Sequence, residues 1–233
     1  AWGENTKGVL LASPANPTGT MIHPNELIAI QSFVAAQGGF FILDEIYQNL
    51  TRDHVTYTSS LSLCPEIFVL NSFSKFFGMT GWRLGWVVVP EAAVEPLTKL
   101  AQNLFISAST PAQYAAVAAF AEDAMSIHNQ RKETFEARAK ILSEGLVALG
   151  FNIPVMPDGA FYLYVDISHT NMDSADFCWR LIEEYQVAVT PGYDFGDSNA
   201  GHYVRFAYTT SEESIVLGLE RLGNALADWA VKV

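Results

Sequence analysis

The sequence has few cysteines, few basic residues and no long apolar run, and each shortage excludes a class of protein. Two cysteines in 233 residues form no disulfide framework, which favours a reduced, cytoplasmic protein. Thirteen lysines and arginines against 25 aspartates and glutamates give a formal net charge of −12. That balance argues against nucleic acid or an anionic membrane surface as a partner. No run of about eighteen apolar residues suggests a membrane span, and the scattered histidines suggest no metal site.

The sequence is nevertheless rich in apolar residues, at 50%, with only 16% charged, which predicts a globular chain of one large or two small domains. Val9–Ala12, Phe40–Leu43 and Ile67–Leu70 are continuous apolar runs of strand length. Such runs, separated by helical patterns, are typical of a parallel sheet covered on both faces. The run Leu84–Val89 follows too soon for a helical crossover, so we expect it to pair antiparallel.

The later half of the sequence predicts a second, smaller α+β domain. A helical pattern from about Ile127 to Leu149 is expected to open it, so we divide the chain into a large domain (1–125) and a small C-terminal domain (126–233). Thr209 and Glu212 form a plausible capping box for the last helix. The other elements expected in this domain are the strands Phe161–Val165, Val187–Thr190 and Tyr203–Tyr208 and the helices Ser174–Tyr185 and Glu212–Trp229. An alanine-rich helix over Thr110–Ala124 is expected just before it.

The segment Ser72–Gly85 contains the strongest chemical signal. Lys75 lies among apolar residues, an environment that lets a lysine lose its proton and form an imine. Ser72, Ser74 and Arg83 around it are residues that bind a phosphate. A phosphate-bearing aldehyde held on Lys75 is pyridoxal phosphate (PLP); an ordinary turn followed by a strand is the alternative for this segment alone.

Polar residues from three separate regions follow the predicted strands. Asn16, Asp44 and the Ser72–Lys75 group each come just after an apolar run, and ligands of open α/β sheets lie beyond the carboxyl ends of the strands. A carboxylate at the end of a buried strand needs a cation or several donors, and a protonated pyridine nitrogen would suit Asp44. A helix-capping aspartate is the alternative.

Three further residues could contact the same ligand or its substrate. Tyr47 could reach the phenolate oxygen of the cofactor ring, and the Asn16 amide could donate to that oxygen; a half-buried tyrosine and a simple Asn-Pro turn are the alternatives. Arg205 lies in an otherwise apolar strand and therefore needs an anion. A substrate carboxylate would match its planar fork, and a buried ion pair with an acidic residue is equally compatible.

Taken together, these motifs resemble those of the class I/II aminotransferases, the fold type I PLP-dependent enzymes. The resemblance implies an α/β fold with a mostly parallel large-domain sheet and a small α+β domain. Asp158–Tyr162 and Pro191–Gly196 also look like this family. The motifs that carry the resemblance are Asn16-Pro-Thr-Gly19, Asp44-Glu-Ile-Tyr47, Ser72-Phe-Ser-Lys75, Gly81-Trp-Arg83 and Arg205.

The resemblance assigns a role to each of these residues. Lys75 would form the Schiff base with the cofactor and move a proton, with Asp44 at the pyridine nitrogen and Tyr47 near the phenolic oxygen. The implied catalytic residues are Lys75, Asp44 and Tyr47. The implied cofactor-binding residues are Asn16, Asp44, Tyr47, Ser72, Ser74, Lys75 and Arg83, and the implied substrate-binding residues are Asn16 and Arg205.

The expected activity is amino-group transfer between an α-amino acid and a 2-oxo acid. A β-eliminating C–S lyase and an inactive fragment or non-catalytic aminotransferase-like domain are the alternatives. Members of the resembled family are usually longer, with a region before the Asn-Pro-x-Gly loop, so we expect a C-terminal fragment that could be inactive alone. We also expect a homodimer, or pairing with the missing N-terminal segment.

Overall fold

A computed structural model describes residues 2–53, 55, 58–64 and 66–230. The chain forms two compact units. The first contains the chain up to Ala15, Thr20–Lys132 and Asp158–Ala160, and the second contains Asn16–Gly19, Glu133–Pro157 and the chain from Phe161. The predicted domain boundary after residue 125 stays a prediction. Among the described helices, none combines the length and apolar composition needed to cross a membrane.

The first unit is built on a four-stranded sheet in the order β1-β2-β3-β4. The first three strands are parallel and β4 is antiparallel to β3, which confirms the expected mixed sheet. The apolar run at residue 67 starts one position before the strand, which continues to Ser72. The strands are β1 (Gly8–Ala12), β2 (Phe40–Asp44), β3 (Phe68–Ser72) and β4 (Gly85–Val88).

One helix and a buried core cover only part of this sheet, so the expected coverage of both faces was wrong for the described residues. All four residues of β4 and Leu10 of β1 are exposed. Helix α1 begins with His23 as its N-cap and Pro24 in its first turn, as the proline predicts. Its buried Leu27 and Val34 join a core formed with β2, β3 and the segment before β3. The helices are α1 (Pro24–Ala36), α2 (Glu91–Leu104), α3 (Thr110–Ala118) and α4 (Glu122–Ala148), of which α4 continues into the second unit.

The second unit is a small antiparallel sheet packed with helices, as expected for an α+β domain. Its strand order is β5-β7-β6. The sides of α4, α5 and α6 that face the sheet supply its core, with Leu146, Leu181 and Leu222 at most 1% exposed. The elements are β5 (Tyr162–Asp166), α5 (Ser174–Tyr185), β6 (Thr190–Pro191), β7 (Tyr203–Ala207) and α6 (Glu212–Ala230).

Three expected element boundaries were wrong. The alanine-rich helix ends at Ala118, and the long helix starts at Glu122 instead of 127, where two acidic residues stabilise the first turn. Strand β6 begins at Thr190 instead of Val187, because only Thr190 and Pro191 pair with β7, and it ends where the chain turns after Pro191. Helix α6 is capped by Ser211, whose Oγ accepts a hydrogen bond from the Ser214 amide, and not by Thr209.

Candidate active site

The carboxyl end of the first sheet carries Asp44. The register pairs Asp44 with Ala12 on one side and with Leu70 on the other, so it lies between two parallel neighbours. Its Oδ1 accepts a hydrogen bond from the Ile46 amide at 2.9 Å, which closes the turn after β2. Its Oδ2 accepts none from the described residues. One oxygen therefore closes the turn after β2 and caps no helix, unlike the alternative interpretation, and the other can still pair with a ligand.

Lys75 and Tyr47 are brought together although 28 positions separate them. The Lys75 Nζ lies 5.5 Å from the centroid of the Tyr47 ring, within the range of a cation–π contact. Tyr47 is only 5% exposed and Lys75 is half-buried. The lysine therefore approaches the turn that carries Asp44 and Tyr47, as the sheet-edge argument predicts.

Hydroxyl groups and Arg83 form a local cluster around the Lys75 loop. Ser72 Oγ donates to Leu84 O at 3.1 Å and lies 3.0 Å from Ser74 Oγ, while the Ser74 amide donates to Ser72 Oγ. The Thr80 hydroxyl donates to Ser74 O at 2.6 Å, and Arg83 Nη1 donates to Thr80 O at 3.0 Å. Two serine hydroxyls and a guanidinium thus belong to one short loop.

Arg83 holds an uncommon backbone conformation. Its φ of 53° places it in the left-handed region, which non-glycine residues seldom occupy. It is exposed and forms no ion pair with the described residues. Arg83 thus has a strained backbone and a charge that no described residue neutralises, and it belongs to the same loop as two serines. Such a group of side chains is suited to bind a phosphate.

Aromatic residues pack beneath the Lys75 loop and hold it in place. Phe73 and Phe77 are buried with their ring centroids 4.9 Å apart, and Phe76 and Phe77 each lie 5.5 Å from the His128 ring. Burial, and then the charge of Arg131, lower the pKa of His128, so its ring remains neutral and part of the core. This packing anchors the loop on which the lysine is carried.

The substrate-binding candidate Arg205 lies in the second unit. Its Nη1 donates to Asn16 Oδ1 at 2.7 Å and its Nη2 donates to Thr190 Oγ1 at 3.2 Å. The guanidinium lies 4.2 Å from the Tyr162 ring and 4.8 Å from the Phe195 ring. No acidic side chain of the described residues pairs with it, so the ion-pair interpretation is wrong. Its buried Nε has no hydrogen-bond partner there either.

The predicted residues divide between the two units. The six in the first unit are Asp44, Tyr47, Ser72, Ser74, Lys75 and Arg83, and the two in the second are Asn16 and Arg205. Asn16 uses its amide oxygen to accept from Arg205, which leaves its amide nitrogen as a donor. Its predicted contact with the phenolic oxygen of a cofactor stays a prediction.

Several residues of this arrangement were missed by the sequence interpretation. Thr80 links Ser74 to Arg83, while Thr190, Tyr162 and Phe195 surround Arg205. Three of them could have been found from the sequence. Thr80 lies between two glycines of the lysine segment, and the recognised motifs contain Tyr162 and Phe195. Thr190 had no signal, since only the pairing of β6 with β7 places it beside the arginine.

The residues present fit pyridoxal phosphate. The donor set contains a lysine, a carboxylate with an unused oxygen, and an arginine without a carboxylate partner beside two serine hydroxyls. These match an aldehyde, a pyridine nitrogen and a phosphate, respectively. No group of three or more histidine, cysteine or acidic side chains in the described ranges has the geometry of a metal site.

Comparison with known sequences supports this fit. A model of the aminotransferase class I and II family matches residues 2–222. Valine–pyruvate aminotransferase of Mycobacterium tuberculosis is 38% identical over 221 residues, which cover 94% of this chain and 57% of that protein. The (5-formylfuran-3-yl)methyl phosphate transaminase of Methanocaldococcus jannaschii is 35% identical, over 95% of this chain and 58% of that one.

Solved structures show the same similarity. An aminotransferase from Mycobacterium tuberculosis matches with a TM-score of 0.92 at 37% identity, over 95% of this chain and 58% of that chain. An aromatic aminotransferase from Pyrococcus horikoshii OT3 matches with a TM-score of 0.88 at 34% identity, over 96% and 60%. The chain thus spans 57% to 60% of the length of these relatives.

The chain has the α/β fold of the fold type I PLP-dependent aminotransferases. The chain belongs to the aminotransferase class I and II family. Members of that family depend on pyridoxal phosphate, which agrees with the donor set around Lys75.

Proposed function

We propose that this chain carries the cofactor-binding and substrate-binding residues of an aminotransferase that moves an amino group between an α-amino acid and a 2-oxo acid. The observation that supports it most is Arg205, a half-buried arginine between two aromatic rings with no carboxylate partner among the described residues. A guanidinium in this state matches the carboxylate that both substrate classes share.

Residues of the first unit would hold the cofactor. Ser72, Ser74 and Arg83 would bind its phosphate through hydroxyl and guanidinium donors. The unused Oδ2 of Asp44 would accept a hydrogen bond from the protonated pyridine nitrogen and so keep the ring positive. Bound pyridoxal phosphate supplies an aldehyde that takes up the amino group and a ring that withdraws electrons from the substrate α-carbon.

Lys75 has two tasks in this proposal. Its side-chain amine would hold the cofactor covalently, and in its free form the same amine would take a proton from the substrate α-carbon and later return one. The Tyr47 ring lies beside this amine and is almost fully buried, so it limits access of water to one side of the lysine. The Tyr47 hydroxyl would contact the phenolic oxygen of the ring.

The second unit would orient the substrate. Asn16 and Thr190 each accept from a different nitrogen of Arg205, and the rings of Tyr162 and Phe195 confine its plane. The fork is thereby held in one orientation before substrate binds, which reduces the entropy lost on binding. The relatives named above include a valine–pyruvate aminotransferase and an aromatic aminotransferase, so they indicate no single side-chain preference for this chain.

A transamination assay tests the function. The chain with added pyridoxal phosphate is incubated with an amino acid and a 2-oxo acid, and the new amino acid is quantified. We expect turnover in the native chain and none in Lys75→Ala, whereas Lys99→Ala, at an exposed lysine paired with Glu95, should retain it. Equal turnover in native chain and Lys75→Ala would contradict the proposal. Pyruvate and ammonia released from a sulfur amino acid without a 2-oxo acid would indicate a lyase.

The proposal also includes the assembly and the compartment of the protein. Family membership supports a homodimer, and the two unpaired cysteines, Cys64 and Cys178, agree with a reducing, cytoplasmic location. Burial, and then the charges of Asp194 and Asp173, raise the pKa of Cys178 to about 12, so this thiol is unreactive at neutral pH. Sedimentation equilibrium at several protein concentrations measures the oligomeric state.

A further inference from the structure

A second carboxylate, Glu45, follows Asp44 directly and is buried, with 2% of its surface exposed. Its Oε1 accepts hydrogen bonds from the Ser60 amide at 2.8 Å and from Ser60 Oγ at 2.6 Å, and its Oε2 accepts one from Ser59 Oγ at 3.0 Å. No cationic side chain of the described residues forms an ion pair with it. These three hydrogen bonds offset the free-energy cost of burying the carboxylate. An apolar residue at this position would carry no such cost.

These hydrogen bonds connect two segments that are not neighbours in sequence. On one side, the Glu45 amide donates to Leu70 O at 2.9 Å, and the Gln48 amide donates to Glu45 O at 2.9 Å. On the other side, Ser60 is fully buried, and its carbonyl accepts from the amide of Cys64, a residue of the β2–β3 core. The Glu45 side chain therefore ties the turn after β2 to a turn that is anchored in the core.

The tied turn is the one that carries Asp44 and Tyr47. The Ile46 amide, one residue beyond Glu45, donates to Asp44 Oδ1, so a rotation of this turn would move the unused Asp44 Oδ2 as well. Tyr47 follows directly and contacts the Lys75 amine. A small displacement at Glu45 would thus reach two of the groups that face the cofactor.

We propose that Glu45 is a positioning residue, whose carboxylate, held by Ser59 and Ser60, aims Asp44 and Tyr47 at the cofactor. This role rests on the proposed function, because it acts through residues assigned to cofactor binding there. Glu45 touches neither cofactor nor substrate in this account, and its effect passes through the geometry of the turn.

Variants of nearly unchanged shape test this role. Glu45→Gln replaces one accepting oxygen by an amide nitrogen, which cannot accept from a serine donor, and Ser60→Ala removes the 2.6 Å bond from the other side. Ser62→Ala is the matched control, because this exposed hydroxyl of the same turn donates to Ser59 O and not to Glu45. Far-ultraviolet circular dichroism verifies folding, and Ser60→Ala carries the test if Glu45→Gln does not fold.

Titration with pyridoxal phosphate gives the first readout. We expect the dissociation constant to rise about tenfold in Glu45→Gln and Ser60→Ala, the effect of losing roughly one hydrogen bond to a charged group. The absorbance of the protein with bound pyridoxal phosphate is also recorded as a function of pH. The midpoint of its change should shift in the same variants, because that midpoint depends on the groups around the cofactor ring. Values equal to those of Ser62→Ala would overturn the role.

Amide hydrogen exchange in the protein without cofactor gives the second readout. The Ile46 amide should exchange faster in Glu45→Gln than in the native chain and in Ser62→Ala, because the turn is no longer tied. An unchanged exchange rate would overturn the role whether or not cofactor binds. If no variant and no native chain binds pyridoxal phosphate, the proposed function fails while the exchange data still decide whether Glu45 holds the turn.

Discussion

At the scale of single residues, the account depends on side chains whose charges lack partners within the described chain. Arg205 and Arg83 form no ion pairs there, and Asp44 keeps one oxygen unused. Arg205 and Asp44 are half-buried, and proteins seldom leave charged groups there without partners unless a ligand supplies the missing charge. In the proposed function, Arg205 would bind the substrate carboxylate, Arg83 the cofactor phosphate and Asp44 the pyridine nitrogen.

Replacing Arg205 by lysine tests the substrate-binding role. Lysine keeps the positive charge but loses the planar fork and the two-sided aromatic contact, so kcat/KM should fall by roughly tenfold to a hundredfold, equivalent to about 1.5–3 kcal/mol. The loss should appear mainly in KM for both the amino acid and the 2-oxo acid, in steady-state kinetics with each substrate varied.

Arg180→Lys is the matched control for this change. Arg180 also stacks on an aromatic ring, with 4.5 Å to Trp229, but its fork binds Glu184 on the same helix. We expect kinetic constants close to those of the native chain. Equal effects of the two substitutions would show that Arg205 acts only through packing.

At the scale of elements, sequence patterns predicted the existence of most elements well and their boundaries poorly. The strands β1 and β2 were recognised as continuous apolar runs, and the helix Ser174–Tyr185 was recognised by the helical period of its apolar residues. Helix α2 was not expected because Pro96 lies inside it, and proline is unfavourable in a helix interior. The extent of β6 depends on its pairing with β7, which no local pattern encodes.

The same limit applies to the site. The sequence shows a charged residue inside or beside an apolar run at three positions. This conflict between charge and burial made it possible to predict Asp44, Lys75 and Arg205. Thr190 could not, because a threonine in a strand is ordinary and its contact with Arg205 arises only from register. Glu45 was visible within its motif, but its burial depends on serines 14 and 15 positions away.

Two helices of the second unit are joined by a hydrogen bond whose strength depends on pH. Tyr185 of α5 donates to Asp228 of α6 at 2.6 Å, and this bond to a carboxylate raises the pKa of Tyr185 to about 12. In the unfolded chain a tyrosine ionises near pH 10. Because the folded pKa is the higher one, the stabilisation is fully present below about pH 10 and is lost as the pH rises through about 12.

Tyr185→Phe tests this pH dependence. In urea denaturation, we expect the native chain to be more stable than the variant below about pH 10, with a difference that shrinks towards pH 12. Tyr114→Phe, at an exposed tyrosine without a hydrogen bond to the described residues, should follow the native chain at each pH. A difference that is constant across this range would contradict the assigned pKa shift.

At the scale of the whole molecule, two compact units each contribute residues that the family resemblance assigns to one reaction. The first contains six of the residues assigned to the cofactor, and the second contains Arg205, assigned to the substrate carboxylate, and Asn16, assigned to both ligands. The formal charge of −12 is compatible with anionic ligands because the arginines involved lie where no acidic residue of the described chain neutralises them.

The central claim is that the Lys75 amine becomes covalently bound to pyridoxal phosphate. The most direct measurement adds the cofactor to the purified chain, reduces the complex with borohydride and maps the modified lysine by peptide mass spectrometry. We predict a pyridoxyl modification on Lys75 in the native chain, with the exposed Lys99 unmodified at the same cofactor concentration. A Lys75 peptide without modification, or one modified no more than the Lys99 peptide, would contradict the account.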